Sequence, residues 1–242
     1  MRILFITLLG LKLTANATDL EPRIVQGIPV KSMKKFGYTV HFVSNGEERV
    51  TCGGSIVNQR TILTAAHCIC DAPDQEFFIR VGSYHKNRGT LYNVKNTVVH
   101  ERYDPIKLLY DIGLAVVDRD IRLGSEVYRV ALSNTPPRAG LVGTIAGWGV
   151  SKVSKKAILF CMYSLVSCDE QTEGQLSCPL GIKFTYLIIK LFRGDSGGAL
   201  VVDGSLQVGV LSAHAAPGVT LYTDVSQFLQ WIDLQARRLY CQ

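Results

Sequence analysis

Residues 194–212, GDSGGALVVDGSLQVGVLS, decide the fold. Ser196 lies in a run of glycines, and what matters is the structure that follows it. Two short apolar runs, rich in valine and leucine, flank Asp203 and Gly204. Asp-Gly between such runs marks a tight hairpin, because both residues tolerate the positive φ that a type I′ turn demands. The serine loop therefore feeds a strand and not a helix.

The same style extends upstream. Residues 38–57, YTVHFVSNGEERVTCGGSIV, read as a hairpin with Asn45-Gly46 at the tip. FFIRVGSY (77–84), YNVKNTVVH (92–100), IGLAVVD (112–118) and GLVGTIAGWGV (140–150) continue the pattern of short half-alternating strands. Helical periodicity appears only in residues 224–240, where Val225, Phe228, Leu229, Ile232 and Ala236 share one face. Many short strands with glycine-rich turns predict an all-β chain of sandwich or barrel type, closed by a docked helix.

The 242 residues suffice for one large domain or two small ones sharing a core, and 47% hydrophobic against 19% charged residues describes an ordered globular protein. The net charge of +6 comes from scattered lysines and arginines, which read as a solvated surface. No zinc-finger spacing or basic helix points to nucleic acid. Arg2, the apolar run 3–11 and the small residues Ala15 and Ala17 predict a secretory signal over 1–17. The run is too short to span a bilayer, and no later apolar stretch is long enough to be a membrane span, so no membrane anchor is expected. Seven cysteines fit an extracellular, disulfide-permitting compartment.

Three separated segments carry the chemistry. LTAAHCIC (63–70) contains His67, LLYDIGLAVV (108–117) contains Asp111, and RGDSGGAL (193–200) contains Ser196. A serine hydroxyl becomes a useful nucleophile when a base takes its proton, and a histidine titrating near neutral pH can be that base. A third group must orient the base, and Asp111 is suited to do so.

With RIVQG (23–27), CGGSIV (52–57) and AGWG (146–149), these motifs resemble the trypsin and chymotrypsin family of serine proteases, from Ile24 to about Ile232. The resemblance implies two antiparallel six-stranded β-barrels, about 24–125 and 126–242, with a C-terminal helix. It assigns catalysis to His67, Asp111 and Ser196, and the oxyanion hole to the N–H groups of Gly194 and Ser196. It also implies a zymogen with a propeptide at 18–23. Cleavage between Arg23 and Ile24 would free an ammonium to pair with Asp195. Residues 194–198 equally satisfy G-x-S-x-G, the α/β-hydrolase elbow, with Asp203 and His214 following in order. That elbow needs a helix after the serine, which the hairpin pattern opposes.

The family pattern joins Cys52 to Cys68 and offers Cys168 and Cys178 as a second pair, leaving Cys70, Cys161 and Cys241. A family bridge beside the serine is absent at both ends, with Phe192 at one. Gly143 and Val202 stand where a further bridge would lie. The base of the specificity pocket falls on Lys190, and its wall on Ser212, Ala213 and His214, with Gly218 beyond. A positive pocket base would disfavour basic side chains. Within residues 179–193, the apolar stretch 181–192, GIKFTYLIIKLF, has two readings: a rebuilt apolar loop or strand, or a retained intron in the gene model.

The expected function is a secreted serine endopeptidase, monomeric, acting on protein or peptide substrates without cofactor or metal. An activating trypsin-like protease and protein inhibitors would be its partners. The alternative is a non-enzymatic protease homologue that acts by binding protein.

Overall fold

Turn residues divide the apolar runs into short strands. In the first half these are β1 (Ile28–Pro29), β2 (Thr39–Ser44), β3 (Cys52–Ile56), β4 (Thr61–Thr64), β5 (Phe77–Val81), β6 (Thr90–Val99) and β7 (Gly113–Val117). The second half contributes β8 (Ala131–Leu132), β9 (Val142–Gly147), β10 (Phe160–Leu165), β11 (Ile182–Phe184), β12 (Ala199–Val202), β13 (Leu206–Ala216) and β14 (Val219–Asp224). A helix, α1 (Leu229–Tyr240), ends the chain. This computed structural model describes residues 28–44, 52–70, 77–138, 140–149, 160–165, 182–184, 194–216 and 219–240.

Strands β2-β3-β4-β7-β6-β5 close into a barrel. Closure pairs every strand on both sides and leaves no free edge. β3, β4 and β7 are buried throughout, which explains their continuous apolar or small-residue sequences. In β5, Phe77, Ile79 and Val81 point inward, while Phe78 and Arg80 are half-buried. Phe42, Ile56, Ile62, Leu63, Ile79, Leu114 and Val117 fill the interior.

The helix packs on this same core. Val225 and Phe228, in the 3-10 turn Val225–Phe228 that leads into the helix, are buried in it with Ile232, and Leu229 and Ala236 lie partly buried against it. Burying each large apolar side chain contributes about 1.5–3 kcal/mol. The end of the chain therefore locks the second half onto the first.

The strands of the second half gather in one sheet. Among the described residues it is an eight-stranded sheet in the order β1-β10-β9-β12-β13-β14-β11, with β8 paired to β13. Ile28 and Pro29 belong to it, opposite Cys161 and Phe160, although the sequence puts them in the first half. The strand supplies a partner to the outer side of β10, whose inner side is taken by β9.

The Asp203-Gly204 hairpin forms as the sequence predicts. Val202 faces Leu206, and Asp203 and Gly204 have φ of 49° and 72°, the positive pair of a type I′ turn. A strand, not a helix, follows the serine loop, so the α/β-hydrolase elbow does not apply. β2 and β3 pair antiparallel as expected, and their Asn45-Gly46 tip lies outside the described residues. Within the apolar stretch 181–192, Ile182–Phe184 runs as a strand along β14.

Candidate active site

Strand register brings His67 and Asp111 together. In the β4–β7 ladder Thr64 faces Gly113, so the chain leaves β4 toward His67 where it enters β7 from Asp111. His67 sits in a single 3-10 turn, Ala66–Cys68, whose flanking Ala65 provides no side-chain cap. Asp111 does that work from the head of the neighbouring strand. Its Oδ1 accepts the His67 backbone N–H at 3.0 Å, and its Oδ2 accepts from His67 Nδ1 at 2.8 Å. The Cys52–Cys68 disulfide ties the turn to β3, as the resemblance implied.

The Asp111 carboxylate is wholly buried, so its charge must be offset by donors. Ser212 Oγ is the third, donating to Oδ2 at 2.5 Å, while Thr223 Oγ1 holds the Asp111 carbonyl at 2.9 Å. Since an ionised carboxylate only accepts, Nδ1 of His67 carries the proton and Nε2 is left as a base.

The Ser196 loop docks beside them by close backbone approach. The Gly53 N–H donates to the Ser196 carbonyl at 2.6 Å, and the Gly197 and Gly198 N–H groups are taken by the Leu211 and Asp195 carbonyls. Gly197 has φ +80°, and a Cβ there would run into Thr64 Oγ1 and the Gly53 carbonyl. Only glycine permits both the conformation and the contact. Thr64 lies three residues before His67, so this contact carries the half-buried Ser196 to the same edge of the barrel.

Asp195 is buried, and its Oδ1 accepts the Gly149 N–H at 2.8 Å. Its carboxylate occupies the space that side chains at Gly147 and Gly149 would need. Trp148 between them contacts His41, with ring centroids 5.3 Å apart. Burial, with the charges of Lys86 and Arg80 adding to it, pushes His41 down to about 3.

The trypsin family model matches residues 24–232. The chain belongs to the trypsin family. Hypodermin-B of Hypoderma lineatum is 33% identical over 234 residues, covering 90% of each chain. Trypsin epsilon of Drosophila erecta is 30% identical over 237 residues, 91% of this chain and 90% of that protein. Among solved structures, HL collagenase aligns with a TM-score of 0.73 at 24% identity over 88% of this chain and 98% of that one, a likeness of fold. Human heparin binding protein aligns with a TM-score of 0.72 at 26% identity, over 87% of this chain and 95% of that one. This is a serine protease chain of the trypsin family, with a Cys52–Cys68 bridge and a chymotrypsin-like fold.

Other sequence-named positions fare differently. Arg23, Ile24, Lys190, Gly218, Cys168, Cys178 and Cys241 lie outside the described residues, and His214 is described only as β13 backbone opposite Thr220. Ser212, read as a pocket wall, turns its hydroxyl to Asp111. Where Gly143 and Val202 replace a family bridge, β9 and β12 are neighbours, and Leu200 fills the space beside Gly143. Cys70 forms no disulfide among the described residues. The sulfurs of Cys52 and Cys68 lie within 4.8 Å of a His67 nitrogen, but joined as a disulfide they offer a metal no thiolate. No described helix is long and apolar enough to cross a membrane.

Thr223 and Ser212 are the site residues whose roles the sequence did not disclose. The only signal was position: Thr223 falls inside a family-like segment, and Ser212 is a polar residue ending an apolar run.

Proposed function

We propose that the protein is a secreted serine endopeptidase, made as a zymogen and active as a monomer, that hydrolyses peptide bonds through an acyl-enzyme. Ser196 Oγ attacks the scissile carbonyl while His67 Nε2 takes its proton and later passes it to the leaving amine. Asp111 fixes the imidazole tautomer and stabilises the imidazolium. The N–H groups of Gly194 and Ser196 receive the oxyanion, each such donor contributing about 2.7–4 kcal/mol to the transition state. The observation that carries this reading is the Asp111 carboxylate gripping His67 by both its backbone N–H and Nδ1. A merely structural carboxylate has no need to orient the ring.

Activation follows the same logic. A trypsin-like protease cuts after Arg23, and the new Ile24 ammonium pairs with Asp195. The burial of Asp195 between Gly147 and Gly149 supports this, because a buried carboxylate gains most from a matching charge. The protein would then meet protein substrates and protein inhibitors outside the cell.

The test is to cleave the secreted chain after Arg23 and assay peptides with basic, acidic, aromatic or small residues before the scissile bond. Turnover that vanishes in Ser196→Ala supports the proposal. Absence of turnover after complete cleavage supports the second reading, a non-enzymatic homologue acting by binding. That reading draws on the altered pocket positions Lys190, Ala213 and His214, and on the likeness to a protein named for binding heparin.

A further inference from the structure

We propose that His100 is a positioning residue for Asp111, and that it holds the Asp111 turn only as the neutral imidazole. The inference rests on the catalytic reading of Asp111 given above. It starts from an unfavourable backbone. Tyr110 has φ +54°, a region that bulky residues avoid, and the Ile112 N–H donates to the Tyr110 carbonyl at 2.8 Å. Asp111 is thus the middle residue of a three-residue turn entered from a left-handed tyrosine. Such a conformation persists only where its surroundings impose it.

His100 supplies much of that constraint. Its ring stacks on Tyr110 at 5.1 Å and 15° between planes, and its backbone N–H donates to the Ile112 carbonyl at 3.1 Å. It therefore grips the turn on both sides of Asp111, once by ring and once by backbone. The edge of Phe228 meets both rings, 5.2 Å from His100 and 6.0 Å from Tyr110, and Trp231 lies 5.0 Å from His100. Trp231 is held in turn by Glu101, which accepts its Nε1–H at 3.0 Å and the Gln235 Nε2–H at 3.1 Å. The C-terminal helix thus reaches the Asp111 turn through His100.

The charges around the ring favour its neutral form. His100 Nδ1 accepts the Arg102 backbone N–H at 3.2 Å, and a protonated Nδ1 could not. The Arg102 guanidinium lies 4.3 Å over the same Tyr110 ring, so an imidazolium would stack beside a like charge. Glu101 opposes this from 3.9 Å, with its carboxylate already shared by Trp231 and Gln235. The C-terminal segment contributes Phe228 and Trp231 to the contact, neither ionisable. Burial and Arg102 together hold the His100 pKa below the ordinary histidine value. Acidification through that pKa adds a proton that breaks the Arg102 bond and weakens the stack, which frees the Asp111 turn.

The experiment follows the low-field proton resonance of His67 Nδ1–H, which reports the Asp111 bond without turnover, in wild type, His100→Phe and His100→Gln. In wild type this resonance should shift in step with the titration of the His100 Cε1–H. His100→Phe keeps a ring and should lose that step, with kcat at neutral pH within about twofold of wild type. His100→Gln should broaden the resonance and lower kcat about tenfold at unchanged KM, inside the ~100-fold that a 1 Å misplacement can cost. Thermal melting checks that the variants fold; if His100→Gln does not, the wild-type titration and His100→Phe decide. A His67 signal with the same pH course in wild type and His100→Phe overturns the proposal. A coupled titration in a chain without turnover would leave His100 as positioner and refute the enzymatic reading alone.

Discussion

Replacing Asp111 by asparagine changes one atom's chemistry and should disable the site by a route that the donors determine. Three donors converge on the carboxylate: the His67 backbone N–H on Oδ1, and His67 Nδ1 and Ser212 Oγ on Oδ2. An amide offers one accepting oxygen and one donating NH2. The backbone N–H cannot become an acceptor, so the amide oxygen must take the Oδ1 place. The NH2 then faces Ser212, whose hydroxyl can rotate to accept, and Nδ1, which accepts only if the imidazole proton moves to Nε2. Every hydrogen bond survives, so the stability loss should be small, about 1–2 kcal/mol. The base is nevertheless gone, because Nε2 now carries the proton it should receive. The expected fall in kcat is about 10⁴-fold, or ~5.5 kcal/mol in the barrier. Turnover per titrated active site near neutral pH, with urea unfolding of the same samples, measures both. An Asp111→Asn variant within about tenfold of wild-type kcat would refute the tautomer argument.

Gly197→Ala should cost upward of about 2 kcal/mol in urea unfolding, combining left-handed strain with a clash on Thr64 Oγ1 and the Gly53 carbonyl. Gly140→Ala is its control, since φ is +87° with nothing within 4 Å, and should cost about 1 kcal/mol. Folded His41 sits at about 3 and unfolded histidine near 6.5, so its contribution is full above pH 6.5 and is lost as pH falls toward 3. Between pH 6.5 and 5 this amounts to about 2 kcal/mol of stability, to which His100 adds in the same sense; Asp224, raised by burial, works in the opposite sense at lower pH. A matching slope in His41→Phe, followed by urea titrations across that range, would contradict the assignment. Removing the Cys52–Cys68 bridge, which spans 16 residues, should cost about 3 kcal/mol and loosen the His67 turn, measured by thermal melting of the Cys52→Ala/Cys68→Ala variant.

Local chemistry made much of this legible before any coordinates. Asp203-Gly204 announces its turn because few residue pairs accept two positive φ values, and the glycines around Ser196 announce a close backbone approach. Periodic apolar positions placed Val225, Phe228 and Ile232 on the buried side of the C-terminal segment, although its first turn, Val225–Phe228, is 3-10 and the helix proper starts at Leu229. What stayed hidden depends on contacts between distant segments. Ser212 and Thr223 are 101 and 112 residues from Asp111, and nothing local to either distinguishes a hydroxyl that holds a carboxylate from one that faces water. Tyr110 gives no sign of its left-handed backbone, since tyrosine favours other regions and is held there by His100 and Phe228. The pairing of Ile28 with Cys161 could not be seen either, because two residues carry no periodicity.

The central claim is that Ser196 is a nucleophile activated by His67 and Asp111. The most direct measurement is covalent labelling of the chain cleaved after Arg23 with a fluorophosphonate, located by peptide mass mapping. One adduct per chain on Ser196, absent in Ser196→Ala and strongly slowed in His67→Ala, is the predicted result. A fully cleaved, folded chain that takes no label at Ser196 would contradict the account.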